Sequence, residues 1–395
     1  MGLPGIAGSA IQIVMMLAFA SAYAAGVQKN SGVTTGTVLP TVTVGAPRDP
    51  VDKSYRKMLK GMDLFEQKHG MAPNASLRYK LLPRQRDTKM DGIVLEIVGN
   101  TVAIPVAVAA DHTFTLERHL QALDEDASVM PDRNAHSMTW RAEIRTPGLP
   151  LNTRRLGDLR LECFVGMEAD LVSNVRPVIG QVANFVLRML GYCDGRVVHY
   201  LFFSEQPLFG VTMVAGNRRE ALSVDELYAG ASYDPALQAD LPYCDCQVLL
   251  DRTYFMPLGD PTWPDDTLVE FEYMEDGVDG YTAVTPSPAA PIAATALSAR
   301  NARDAITIGK STRADVIATL GKTTIISFDS GFEVWVYQFK ADTPTATSWA
   351  ERFGFARSDK GKSGNSELVV LFEQSGIVTK ARLRDTPLPG DAKER

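Results

Sequence analysis

The sequence predicts a mainly β protein with an α+β addition: two tandem antiparallel β-sandwich modules, then a C-terminal domain with a helix on a three-stranded sheet. Three observations predict this. Short runs with apolar residues at alternate positions, parted by Gly, Pro and Asn, fill the stretch after Gly92. Similar runs recur after Gly195. A Pro/Ala-rich stretch, Val284 to Ala296, then sets off a last hundred or so residues with a helix period followed by strand periods.

The chain of 395 residues is long enough for two or three domains. Its 40 Lys+Arg against 47 Asp+Glu leave a net of −7, divided as about −10 before residue 299 and about +3 after it. Neither part carries the basic face that a phosphate backbone needs, so nucleic acid is not an expected partner.

Residues 1–25 read as a signal peptide, or as an uncleaved anchor. Gly5 to Ala25 is apolar and ends in Ala22-Tyr23-Ala24, the small-x-small pattern that signal peptidase accepts, although no Lys or Arg precedes Lys29. Residues 26–48 are rich in Thr, Val, Gly and Ser and read as a tether.

The first module spans residues 49–173. Asp49-Pro50 is the expected start of a helix whose apolar face holds Val51, Tyr55, Met58, Leu59, Met62 and Phe65, with Gly70 as its stop. Strands are expected in GIVLEIV from Gly92, AIPVAVAADHTFTLE from Ala103, SVMPDR from Ser128, MTWRAEIR from Met138 and LGDLRLECFVGM from Leu156. The second module, 174–283, opens with an apolar helix over 174–191. It then repeats the first: Gly92–Val98 lies over Gly195–Leu201, Ala127–Arg133 over Cys246–Arg252, and LGDLRLECFV over PDDTLVEFEY at 264–273. Residues 284–298 form the linker and 299–395 the last domain.

Four cysteines in a chain with a leader favour disulfides. A bridge from Cys244 to Cys246 is strained, so Cys163 and Cys193 are expected to pair with that Cys-x-Cys in one of two orders. The five histidines show no metal-ligand spacing, and Gly309-Lys310-Ser311 and Gly361-Lys362-Ser363 lack the first glycine of a phosphate loop, so no cofactor or metal is implied. One loop invites a ligand reading: Asp260, Asp265 and Asp266 beside Tyr254 and Trp263 are the groups that grip a sugar or a calcium ion, and equally the groups of turn chemistry.

In the last domain, Ser311 or Thr312 caps a helix with Val316, Ile317 and Leu320 on its apolar side, ended by Gly321. Strand patterns follow at 323–328, 332–339 and 367–383, the last turning at Ser375-Gly376. The order Ile306, Gly309-Lys310-Ser311-Thr312, Asp315-Val316, Leu320-Gly321, then Val334-Trp335-Val336-Tyr337-x-Phe339, then Leu371-Phe372 and Gly376-Ile377-Val378, resembles the SmpA/OmlA (BamE-like) family of outer-membrane lipoproteins. The resemblance covers about 80 residues. The chain departs from the family in lacking a lipidated cysteine and in a long polar insertion at 341–366. What it implies is a non-enzymatic, exported protein of the periplasm, possessing a face around Ile325, Phe328, Phe332 and Trp335 that binds another envelope or outer-membrane protein.

Overall fold

The computed structural model describes residues 52–134, 137–171, 193–194, 200–230, 249–275, 299–339 and 365–386. The expected leader, the tether, the 174–191 helix, the 284–298 linker, Cys244 and Cys246 lie outside the described residues. The described residues fall in one compact unit.

Strand β1 (Lys53–Ser54) runs into helix α1 (Tyr55–Lys68), whose start is capped by the Ser54 hydroxyl accepting from the Lys57 N–H at 3.4 Å. The expected face is the buried one: Tyr55, Met58 and Leu59 are in the core, with Met62 and Phe65 packed against it. Three strands form one sheet in the order β5 (Thr113–Phe114), β2 (Ser76–Pro83), β7 (Met138–Arg145). A second sheet runs β1, β6 (Ser128–Pro131), β3 (Leu95–Val98), β4 (Ala103–Val106), with the short helix α2 (Leu120–Asp124) beside it. Strand β2 was not among the expected elements, although Leu77, Tyr79 and Leu81 alternate with Arg78 and Lys80.

The stretch LGDLRLECFVGM, expected as a strand, is helix α3 (Leu156–Glu168). Leu159, Leu161, Cys163 and Val165 fall at every second position and imitate a strand. They are two helical stripes on different faces. Leu156, Leu159, Cys163 and Met167 enter one core, whereas Leu161, Val165 and Ala169 enter another. A helix buried on two sides loses the amphipathic signature that sequence reading depends on. Asp158 holds its first turn in place, accepting from the Thr146 N–H at 2.9 Å and the Thr146 hydroxyl at 2.7 Å. Helix α1 crosses it closely at Gly61, where a Cβ would come within 2.9 Å of the Ala169 Cβ.

The third sheet has the order β11 (Arg218–Ala221), β10 (Leu208–Ala215), β13 (Leu268–Tyr273), β8 (Thr153–Arg155). A two-stranded pair, β9 (Leu201–Phe203) with β12 (Thr253–Phe255), packs nearby. Strand β8 comes from the first expected module and pairs with β13 of the second, so pairing crosses the expected boundary at residue 173. The expected repeat also parts at its third element, being helix α3 in one copy and strand β13 in the other. The architecture is mainly β, in several antiparallel sheets with few helices.

The C-terminal part has helices α4 (Ala299–Asp304) and α5 (Arg313–Leu320), then four strands, not three: β14 (Thr324–Ser327), β15 (Glu333–Phe339), β16 (Asn365–Phe372) and β17 (Val378–Thr386), paired in that order. The extra strand arises because the last apolar stretch doubles back at Gly376, whose φ of +82° suits glycine. Thr312, not Ser311, caps α5 in a reciprocal box with Asp315, the Thr312 N–H lying 2.9 Å from the carboxylate.

Candidate interaction surface

A strand in the middle of a sheet presents alternate residues to opposite sides. In the C-terminal sheet both sides are covered. Trp335, Tyr337, Leu368, Val370 and Phe372 face α4 and α5, where Ala302, Ile306 and Val316 meet them. Ile326, Val334, Val336, Val369 and Leu371 face the other way and join the large core built from α3, β10 and β13. The sheet is therefore a middle layer, which removes the free flat face expected from its aromatic residues.

The four residues expected to bind a partner separate accordingly. Trp335 is only 2% exposed, lies 4.5 Å from the tilted ring of Phe372 and donates its indole N–H to the Glu333 carboxylate at 3.2 Å. Phe328 and Phe332, at the two ends of the β14–β15 turn, pack against the large core. The Phe328 ring lies 4.9 Å from Tyr228, and the carbonyl of Asp329 accepts from Arg86. Ile325 alone keeps its side chain in solvent, at 50% exposure. Among the described residues β14 has β15 as its sheet neighbour and leaves its other edge unpaired. Ile317 on α5 is also exposed.

A cluster of side chains missed by the sequence reading fastens the sheet to the rest of the protein. The Glu367 carboxylate accepts the Val224 N–H at 3.2 Å, and Arg384 donates to the carbonyls of Leu222 and Phe209 at 3.4 and 2.6 Å. Gly210 leaves the room for this, since a Cβ there would lie 3.0 Å from the Arg384 guanidinium. Beside them Glu226 turns back to accept the Ser223 N–H at 3.0 Å, and burial pushes its carboxyl up to about 7. Burial likewise raises Glu367 and lowers Arg384. Tyr228 and Ala229 follow at φ of +57° and +53°, a left-handed backbone that is costly for a tyrosine. No periodicity announces such a cluster, because its members are far apart in the chain.

The alternative ligand loop is folded around Arg160. Its guanidinium donates to the carbonyls of Leu258, Asp260 and Trp263 at 2.9, 3.0 and 3.0 Å and to the Asp265 carboxylate at 2.5 Å. Asp260 accepts from the Thr262 N–H at 2.8 Å, as in an Asx turn. Trp263 is buried beneath the Arg218 guanidinium at 3.5 Å, and Tyr254 is buried between Phe202 and Phe271. Neither ring has a face left for a sugar. Asp266 is exposed, and among the described residues no group of three or more acidic, His or Cys side chains is placed to hold a metal ion.

A buried ionic cluster lies between β7, α3 and β9. Arg154 bonds Glu162 at 2.6 Å, Arg141 bonds Glu143 at 2.9 and 2.5 Å and the carbonyl of Phe203, and Lys80 pairs with Glu205. Burial pushes Glu143 upward, but Arg141, Arg154, Lys80 and Arg145 outweigh it and hold the carboxyl well below the usual range. Glu162 is 1% exposed, so the Arg154–Glu162 pair joins layers inside the core. A surface hollow of about 610 Å³ lies by Thr88, Asp91 and Ser137, but its Arg133 is spent on the carbonyls of Lys89 and Asp91 at 3.2 and 2.8 Å.

The disulfide joins Cys163 to Cys193, across a Cα separation of 5.7 Å. This replaces both expected orders, in which each of these cysteines went to the Cys-x-Cys. Elimination by strain at Cys244 and Cys246 misled, because in the fold Cys163 on α3 lies beside Cys193. Among the described residues no helix is long and apolar enough to cross a membrane. Comparison of the chain with protein-family models, with curated proteins and with solved structures finds no match.

Proposed function

We propose that this chain is an exported cell-envelope protein that works by binding another protein, and that the binding edge is β14 with Ile325. The observation that carries the reading is the contrast within the expected patch: Trp335 is internal and Phe328 and Phe332 are engaged, while Ile325 stands in solvent on a strand whose outer edge is unpaired among the described residues. Such an edge accepts an extended segment of a partner by backbone pairing, with an apolar side chain over Ile325. The Cys163–Cys193 disulfide and the leader-like residues 1–25 support a periplasmic location. The resemblance to the SmpA/OmlA family supports an outer-membrane protein as the partner.

The test is site-specific photo-crosslinking in intact cells, with the probe at position 325 and, as a control, at 335. The reading expects a periplasmic protein with its disulfide formed and a discrete adduct to an outer-membrane protein from position 325 only. A reduced, cytoplasmic protein, or no adduct from 325, overturns it.

A further inference from the structure

The fastening of the C-terminal sheet is crowded with acids. Around the helical turn Val224–Glu226 stand Glu220 from β11, Asp225 and Glu226 of the turn itself and Glu367 from β16. The facing cations are largely committed: Arg218 pairs with Glu220 at 3.0 Å, Arg219 with Glu270 at 2.6 Å and Arg382 with Glu272 at 2.9 Å. Arg384 gives its two terminal nitrogens to backbone carbonyls, and Tyr228 donates its hydroxyl to Leu208 at 2.9 Å. The turn is thus gripped from the sheet at Leu222 and Val224 by one guanidinium and one carboxylate, with three further carboxyls close by and a strained Tyr228–Ala229 backbone directly after it.

We propose that this turn and the two side chains gripping it form a pH-sensitive latch, closed in mild acid and loosened as the pH rises through neutrality, that governs how firmly the C-terminal sheet stays docked. The inference stands apart from the partner proposed above. Protonated, Glu226 adds no charge beside Asp225; ionised, it adds a like charge in a site partly withdrawn from water. Burial places that ionisation at about 7, and raises Glu367 in the same direction. Loosening would uncover Phe328, Phe332 and the side of the sheet bearing Ile326 and Val334.

Hydrogen exchange of the full chain at about pH 5.5 and about pH 8, corrected for intrinsic rates, tests this. The latch predicts that protection of residues 222–227 and 328–334 falls by about tenfold or more at the higher pH, and that Glu226→Gln is protected alike at both. Equal protection of the unmodified protein at the two pH values overturns the latch, as does an unchanged slope in Glu226→Gln. If circular dichroism shows Glu226→Gln unfolded, Glu367→Gln decides: a reduced slope supports the latch and an unchanged slope overturns it.

Discussion

Phe328 sets its ring 4.9 Å from that of Tyr228, and through this contact a turn of the C-terminal sheet is seated in the body of the protein. A surface expected to receive a partner is thereby an internal joint. Aromatic residues at a turn look the same in sequence whether they meet another protein or another part of the same chain.

The joint is energetic as well as geometric. Phe328→Ala removes a partly buried ring and its contact with Tyr228, and we expect a loss of about 2–3 kcal/mol. Urea unfolding of the full chain measures it, and a change under about 0.5 kcal/mol would contradict the seating of the turn.

Arg154→Met strands Glu162 in the core without its 2.6 Å partner. The expected cost is about 3–5 kcal/mol, and Arg154→Met with Glu162→Leu should recover much of it, since the paired burial is itself expensive. The denaturation midpoints of the single and double variants give the comparison. A double variant no better than the single one would show that the pair is not acting as a unit.

Cys163 and Cys193 are 30 residues apart in sequence. Closing a loop of that length stabilises by about 3.5 kcal/mol through the unfolded state, so Cys163→Ser should lower the unfolding midpoint by a matching amount. Peptide mapping without reduction should recover the two cysteines in one linked fragment. Fragments linking either of them to Cys244 or Cys246 would contradict this pairing.

Stability itself should depend on pH through Glu226. Its folded-state value of about 7 lies above the ordinary 4.5, so the folded state holds the proton more tightly. The contribution is complete below about pH 4.5, falls as the pH rises, and is gone above about pH 7, amounting to at most about 3 kcal/mol. Chemical denaturation across that range in the native protein and in Glu226→Gln isolates the term. A midpoint difference between the two that does not change with pH would contradict it.

Much of the C-terminal domain was legible because its signals are local. The Thr312–Asp315 cap, the Gly321 stop, the alternating Val334 to Tyr337 and the Gly376 turn each act within a few residues, and each lies where periodicity puts it. Helix α3 was not legible, since two cores claim opposite faces and the sum of two helical stripes imitates a strand. Strand β2 has the alternation of a strand, but its charged positions are not solvated: Lys80 is buried against Glu205.

The sequence by itself determined the mainly β class, the helix faces, the turns and the supply of cysteines, all of which follow from short-range periodicity and backbone chemistry. Only the tertiary structure decided which cysteines join, that β8 pairs with β13, and that Phe328, Phe332 and Trp335 are internal while Ile325 faces solvent. Those outcomes depend on which apolar surfaces meet across a hundred or more residues. Burial is indifferent to sequence distance, so no local pattern records the choice.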